Sequence, residues 1–367
     1  MVFISSYGGL GGSEIYLERL LAGLERSSVR SVISLGEGAL VERLRERGLA
    51  IQVVPTPGDP RSFLRSARKL RRLLLATHPD VVHANGLKAA IVTILAALGT
   101  KLSVVWVRHD FSMEGWRARA IALRCRRVIC VSQALARTFR GASERKVCVV
   151  HTGMPEVTVE RNEARQHVRD LISEPLADPL ISLVGQLIPG KGHLELIEIA
   201  PRLLEQLPHT RILIVGDTPT DRFAPYAGRL KERIEQLGLE RAVTFQGHRS
   251  DVLTMIGGSD LVLMPSLSRH RGIETEGFPL LALEALAVGT PVVAYAVGGL
   301  PELVADCGSL VPPGDRDGLR ESIVRVATDR DEWARMSGCG QARARDSFSM
   351  AEMIQSIERI YRLATRA

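Results

Sequence analysis

Short apolar runs alternate with amphipathic, helix-spaced stretches from one end of this chain to the other, and they do so in two successive series. Strands separated by helical segments need crossover connections, which make parallel sheets covered by helices, so the pattern calls for an α/β, doubly wound architecture. In the first series the runs are Val2–Ser5, Val29–Ser34, Ile51–Val54, Val81–His83, Val104–Arg108, Val128–Val131 and Val147–Val150. In the second they are Leu180–Val184, Thr210–Val215, Ala242–Gln246, Leu261–Met264, Pro291–Ala294 and Ser309–Val311. Segments such as Glu14–Leu24, Ala39–Arg47 and Ser62–Ala76 are read as helices between them. The 367 residues suffice for two domains. The junction is placed at Thr152-Gly153-Met154-Pro155, giving an N-terminal domain over 1–155 and a second over 156–348. The last stretch, 349–367, carries Met353, Ile354, Ile357, Ile360, Tyr361 and Leu363 at helical spacing and is expected to pack one face against a domain.

Composition narrows the class. No apolar run approaches the roughly 20 residues of a membrane span, the longest being Ala89–Leu98. Met1-Val2-Phe3-Ile4 enters a strand without a basic leader, so a cytoplasmic protein is expected. The five cysteines (Cys125, Cys130, Cys148, Cys307, Cys339) are odd in number and lack C-x-x-C spacing, and reduced thiols are expected. Net charge is +7, unevenly spread: residues 1–155 hold 24 Lys and Arg against 11 Asp and Glu, and the rest hold 24 against 30. Such a basic half faces anions. In Arg61–Leu73 one stripe carries Arg61, Arg65, Arg68 and Arg72, with Phe63, Leu64, Ala67, Leu70 and Leu74 opposite; Arg117, Arg119, Arg124, Arg126 and Arg127 form a second cluster. An anionic membrane surface fits this arrangement, as does a solvated face in a chain with 42 Arg and 6 Lys. Nucleic acid fits poorly, because aromatic residues are not interleaved with the basic ones.

The chemistry-bearing motifs lie where strands end. Glu276-Gly277-Phe278-Pro279-Leu280-Leu281-Ala282-Leu283-Glu284 places two carboxylates eight positions apart, on a tight turn and on the helix that follows. Free N–H groups at a helix start suit a phosphate, and a carboxylate two turns on can take ribose hydroxyls. Gly8-Gly9-Leu10-Gly11-Gly12-Ser13-Glu14 follows the first strand and opens a helix, with Ser13 as N-cap. It is neither a G-x-G-x-x-G fingerprint nor a P-loop, and a tight strand–helix turn explains it equally. Gly185-Gln186-Leu187-Ile188-Pro189-Gly190-Lys191-Gly192 repeats the theme, with Lys191 placed to meet a diphosphate. His109, ending a strand, sits at the rim where α/β folds bind ligands, a position also open to an ordinary surface or packing histidine; His83 shares the ambiguity. Asp217 and Ser132 follow strands and either touch ligand or terminate and cap local structure, while Asp251 reads as a helix N-cap.

Taken in order along nearly the whole chain, these parts resemble the retaining nucleotide-sugar glycosyltransferases of the GT-B fold, family 4 (glycosyl transferases group 1). The resemblance rests on Glu276…Glu284 with Gly-Phe-Pro between, Gly8–Gly12, Gly185…Lys191-Gly192, Gly216-Asp217, Phe245-x-Gly247…Asp251 and Pro265-Ser266. It implies two Rossmann-like domains facing across a cleft, the first on the acceptor side, the second holding the donor, with the final helix crossing back to the first. It further implies that Glu284 binds the ribose and Glu276 lies against the donor sugar. Backbone N–H groups around Phe278, Pro279, Leu280 and Leu281 would bind the diphosphate or sugar. Lys191 would stabilise the leaving diphosphate, Gly11 and Gly12 would close over it, and His109 would stand near the reacting centre. No metal or other cofactor is implied, the nucleotide sugar being a substrate.

Three departures from the family pattern stand out. Gln186 replaces a common arginine, and Arg269 or Arg271 is the expected substitute. The loop Ser268–Thr275 is long and makes Glu274 a rival to Glu276. His151-Thr152-Gly153 stands where Asn-Gly is frequent. The resulting expectation is a metal-independent retaining transferase moving a sugar from a UDP- or GDP-sugar to a saccharide or lipid-linked acceptor in cell-surface polysaccharide synthesis, peripheral on the inner face of the plasma membrane. A nucleotide-sugar epimerase, a natural-product transferase or a catalytically silent binding protein on the same fold are the alternatives.

Overall fold

The computed structural model describes residues 1–25, 28–174, 177–267 and 276–365. Arg269, Arg271 and Glu274 lie outside the described residues. The chain divides into two units, Met1–Pro155 together with Phe348–Ala367, and Glu156–Ser347.

Among the described residues the first unit holds seven strands: β1 (Val2–Ser5), β2 (Ser31–Ser34), β3 (Ile51–Val53), β4 (Val82–Asn85), β5 (Val104–Arg108), β6 (Arg127–Cys130) and β7 (Val147–Val149). They form one sheet in the order β3-β2-β1-β4-β5-β6-β7, parallel throughout. β1, β4 and β5 are buried over their full length because helices cover both faces; β1 and β5 are apolar up to their last residues, Ser5 and Arg108, whereas β4 buries the polar His83 and Asn85. The strand order reverses between β1 and β4, and loops leaving the carboxyl ends of adjacent strands diverge there. The final helix, Met350–Thr365, buries Met353, Ile357, Ile360 and Tyr361 and packs on the helix Gly12–Gly23. Glycine is required at the contact: a Cβ on Gly23 would lie 2.0 Å from Ile354 Cδ1.

The second unit repeats the plan with β8 (Leu180–Val184), β9 (Arg211–Val215), β10 (Val243–Gly247), β11 (Leu261–Met264), β12 (Val292–Tyr295) and β13 (Ser309–Val311). Their order is β10-β9-β8-β11-β12-β13, again parallel. The reversal falls between β8 and β11, the two strands whose loops carry Lys191 and Ser266.

Three sequence expectations need correction, and one helix has no counterpart in the sequence reading. The polar stretch after the junction contains the helix Arg161–Ile172, which buries only Ala164 and Val168 and therefore shows a weak apolar signal. Cys307 and Cys339 form a disulfide across 32 positions; their proximity is made by the fold and leaves no spacing motif. Cys125, Cys130 and Cys148 are free thiols. Leu64 does not join the apolar face of its helix but is 51% exposed among the arginines. Ser13 is not the N-cap: Gly11 holds that position, and the Ser13 hydroxyl donates to Glu14 Oε2 at 2.8 Å.

Candidate functional site

The second unit gathers its candidate residues at the carboxyl ends of β8, β11 and β12. Gly192 has φ +72°, and a Cβ there would lie 1.8 Å from the Pro265 carbonyl oxygen. Leu267 N–H also donates to the Gly190 carbonyl at 3.0 Å. The lysine loop is thereby pressed against the loop after β11. Lys191 Nζ donates to Glu276 Oε1 at 2.7 Å, and Ser266 Oγ donates to the same oxygen at 2.6 Å. Glu276 is 3% exposed and Ser266 1%. A buried carboxylate is tolerated only when charge and hydrogen bonds compensate it, and these two groups supply both. The backbone of Glu276 is fixed as well, since its carbonyl accepts from Gly299 N–H at 2.9 Å. Gly298, at φ +53°, leaves no room for a side chain against that same oxygen.

Phe278 and Pro279 are buried and lead into the helix Leu280–Val288, for which Pro279 is the N-cap. The first amides of that helix, Leu280 and Leu281 among them, have no intrahelical acceptor, a geometry of the kind that suits an anion. Glu284 stands in the middle of this helix, half-buried. Gln186 and Asp217 are exposed on neighbouring loops, tied by the Leu187 N–H donating to the Asp217 carbonyl at 3.0 Å. The Asp217 carboxylate accepts from Thr218 N–H at 2.7 Å. A recess of about 600 Å³, walled by Pro189, Gly192, Phe223, Tyr226, Arg222 and Arg229, adjoins the lysine loop and has the size of a small-molecule site.

The first unit holds a second cluster. Asn85, at the end of β4, is fully buried; its Nδ2 donates to the Ser13 carbonyl at 2.8 Å. His109 Nε2 lies 2.7 Å from Asn85 Oδ1. One amide thus joins His109 to the end of the Gly11-Gly12 loop. The Tyr16 ring meets the His109 ring edge-on at 4.7 Å. Burial lowers the His109 pKa to about 4 against the opposing charge of Asp110, so the imidazole is neutral at pH 7. Sequence reasoning missed Asn85: a polar residue closing an apolar strand was its only signal. It also missed the buried Glu14 below the loop, whose carboxyl pKa is raised by burial despite the Ser13 hydrogen bond.

The remaining candidates are structural. His83 is fully buried, and its Nδ1 lies 2.6 Å from the Tyr361 hydroxyl. Ser132 caps the helix Gln133–Ala136 by accepting from Leu135 N–H. Asp251 occupies an N-cap position without capping. Its carboxylate takes Arg249 at 2.6 and 2.7 Å and His167 at 3.0 Å. The Arg249 guanidinium holds its pKa at about 2. Among the described residues no cluster of three or more His, Cys, Asp or Glu is arranged to hold a metal ion, and no helix is long and apolar enough to cross a membrane.

Two family models match this chain in succession: "Glycosyltransferase Family 4" over residues 10–156 and "Glycosyl transferases group 1" over 165–343. A GDP-mannose-dependent monoacylated alpha-(1-6)-phosphatidylinositol monomannoside mannosyltransferase of Corynebacterium glutamicum is 30% identical over 187 residues, 50% of this chain and 46% of that protein. A D-inositol 3-phosphate glycosyltransferase of Mycobacterium bovis is 36% identical over 179 residues, 47% of this chain and 34% of that protein. The chain therefore spans less than half the length of either relative. Among solved structures, Anabaena Alr3699/HepE in complex with UDP and glucose superimposes with a TM-score of 0.85 at 24% identity, over 98% of each chain. Sucrose-phosphate synthase from Thermosynechococcus elongatus gives 0.78 at 20% identity, also over 98% of each. At such identities the likeness is one of fold, and that fold is GT-B.

Proposed function

We infer that this chain, which belongs to glycosyltransferase family 4, moves a sugar from a nucleoside-diphosphate donor to an acceptor hydroxyl. The observation that carries the reading is the Glu276 carboxylate. It is buried and held by Lys191 and Ser266, one turn before a helix start that offers free amides and then Glu284. Fixed cations and N–H donors at this place suit the charge that develops when a glycosyl–phosphate bond breaks. Glu284 takes the ribose hydroxyls, Lys191 and the first helix amides take the diphosphate, and Glu276 faces the sugar. Gln186 and Asp217 border the nucleotide, and Gly11, Gly12 and His109 are the ligand contacts that the first unit offers.

The reaction retains anomeric configuration and needs no metal. The acceptor oxygen bonds to the anomeric carbon on the face from which the diphosphate leaves, as the carbon–oxygen bond to phosphate breaks. The acceptor proton passes to the departing phosphate oxygen. UDP or GDP is the nucleotide, in keeping with the names of the HepE complex and of the Corynebacterium relative.

The acceptor is a saccharide or lipid-linked saccharide of a cell-surface polysaccharide pathway, met at the cytoplasmic face of the plasma membrane. The helix Pro60–Thr77 exposes Arg61, Leu64, Arg65, Arg68, Lys69, Arg72 and Leu75. The helix Gly115–Arg124 exposes Trp116, Arg117 and Leu123. Both pack against Leu87–Ala97 on one side of the first sheet. Basic side chains with protruding apolar ones suit an anionic bilayer, and the Corynebacterium relative is named for a phosphatidylinositol substrate.

The test is a donor screen. Thermal shift and sugar release are measured across UDP-, GDP- and ADP-sugars, with Glu276→Gln alongside. Stabilisation and release with one nucleotide class, lost in the variant, are expected. No response to any donor overturns the reading.

A further inference from the structure

We propose that Asn85 is a positioning residue that fixes His109 as its Nε2–H tautomer, so that His109 offers Nδ1 as a hydrogen-bond acceptor to a substrate hydroxyl rather than an N–H to a phosphate. The argument begins with the Asn85 amide, which is buried between two partners. One is the Ser13 carbonyl oxygen, 2.8 Å from Nδ2. A carbonyl only accepts, so the NH₂ group must face it. Turning the amide over would set two acceptor oxygens against each other at hydrogen-bond distance. The orientation of Asn85 is thereby decided by Ser13, and Oδ1 is the atom presented to His109 Nε2 at 2.7 Å. An amide oxygen only accepts, so Nε2 must carry hydrogen.

The second ring nitrogen follows from charge. Burial lowers the imidazole pKa to about 4, although the adjacent Asp110 works in the other direction. A neutral ring with hydrogen on Nε2 has a lone pair on Nδ1. The ring is held in this pose from one side by the edge-on Tyr16 ring at 4.7 Å. Tyr16 in turn stacks on the buried His83, with ring centroids 6.3 Å apart. The tautomer sets ligand class: an acceptor nitrogen recognises a sugar hydroxyl and repels a phosphate oxygen. Because Ser13 directly follows Gly11-Gly12, the same amide also couples the imidazole to the glycine loop.

The inference rests on His109 being a substrate contact, as proposed above, but its test does not depend on turnover. The full chain carrying ¹⁵N-histidine is examined at pH 7 by long-range ¹H–¹⁵N correlation, with His109→Gln used to assign the ring. The wild type is expected to show the Nε2–H pattern. Asn85→Leu is expected to lose it and to lower kcat about tenfold or more, as when a histidine's orienting partner is removed. An Nδ1–H ring in the wild type overturns the proposal, and that measurement needs no variant to fold. An unchanged Nε2–H ring in folded Asn85→Leu overturns it too. The expected tautomers in a protein without transfer activity would support this inference and overturn the functional reading instead.

Discussion

Lys191 and Glu276, 85 positions apart in sequence, form a 2.7 Å ion pair in which the lysine side chain is 28% exposed and the glutamate 4%. The two residues that the motifs single out for separate duties are therefore one electrostatic unit. Removing one partner strands the other, and the buried one suffers more.

Lys191→Met is accordingly expected to destabilise the fold by about 1–3 kcal/mol, since the buried Glu276 carboxyl loses its cationic partner. Glu276→Gln should cost less, because Lys191 can reach water. The double variant should recover most of the loss, a coupling readable by urea denaturation of the four proteins. Sugar transfer should fall about 100-fold or more in all three variants. Additive stabilities would show that the pair is not coupled.

Glu284→Gln tests the ribose assignment. Removing a charge-assisted hydrogen bond is expected to weaken UDP or GDP binding about tenfold or more. Calorimetry with 2′,3′-dideoxy nucleotides should show no difference between wild type and variant. An equal loss with the dideoxy analogues would place Glu284 elsewhere in the site.

Gly298→Ala adds one methyl group where φ is +53° and the Glu276 carbonyl oxygen stands 1.8 Å from the position of the new carbon. The backbone must shift, at a cost of about 1–3 kcal/mol. The shift carries Glu276 with it. Thermal denaturation should show the stability loss, and kcat should fall further than the unfolded fraction accounts for. Unchanged kcat in the folded variant would separate Glu276 position from turnover.

Acid should unfold the protein through its buried histidines. Burial lowers His83 to about 3 and His193 to about 4, with Lys191 adding to the effect at His193. Unfolded, both titrate near 6.5, so below that pH the unfolded state binds more protons and gains relative stability. Stability is therefore expected to be intact above about pH 6.5 and to fall as pH drops toward 4, by about 1.4 kcal/mol per pH unit for each histidine. Urea denaturation at stepped pH should show the slope, and His193→Phe should reduce it. A flat profile across this window would contradict neutral burial.

Charge reversal on the basic helix tests membrane contact. Arg65→Glu, Arg68→Glu and Arg72→Glu together should abolish sedimentation with phosphatidylserine-containing vesicles at low salt, at about 1 kcal/mol per side chain. Neutral phosphatidylcholine vesicles should bind neither protein. Wild type that ignores anionic vesicles would remove the bilayer from the proposed function.

Much of this was legible in the chain because burial writes itself into local sequence. β1, β5, β8, β11 and β13 begin and end where the apolar runs do, since strands covered on both faces hold few polar positions to blur them. The helix Arg161–Ile172 escaped because it buries so little of itself. The motif Glu276 to Glu284 was readable because one turn and one helix fix its geometry locally. Ser132 was correctly placed as a cap only by the structure, the sequence having left a ligand role equally open.

The sequence by itself determined the two α/β series and the motifs that resemble glycosyltransferase family 4, all consequences of near neighbours in the chain. Only the tertiary structure decided which distant residues meet. It paired Lys191 with Glu276 and Ser266, joined Cys307 to Cys339, and placed Asn85 between Ser13 and His109. These contacts exist because parallel strands far apart in sequence end side by side, and spacing along a chain carries no record of which strand lies next to which.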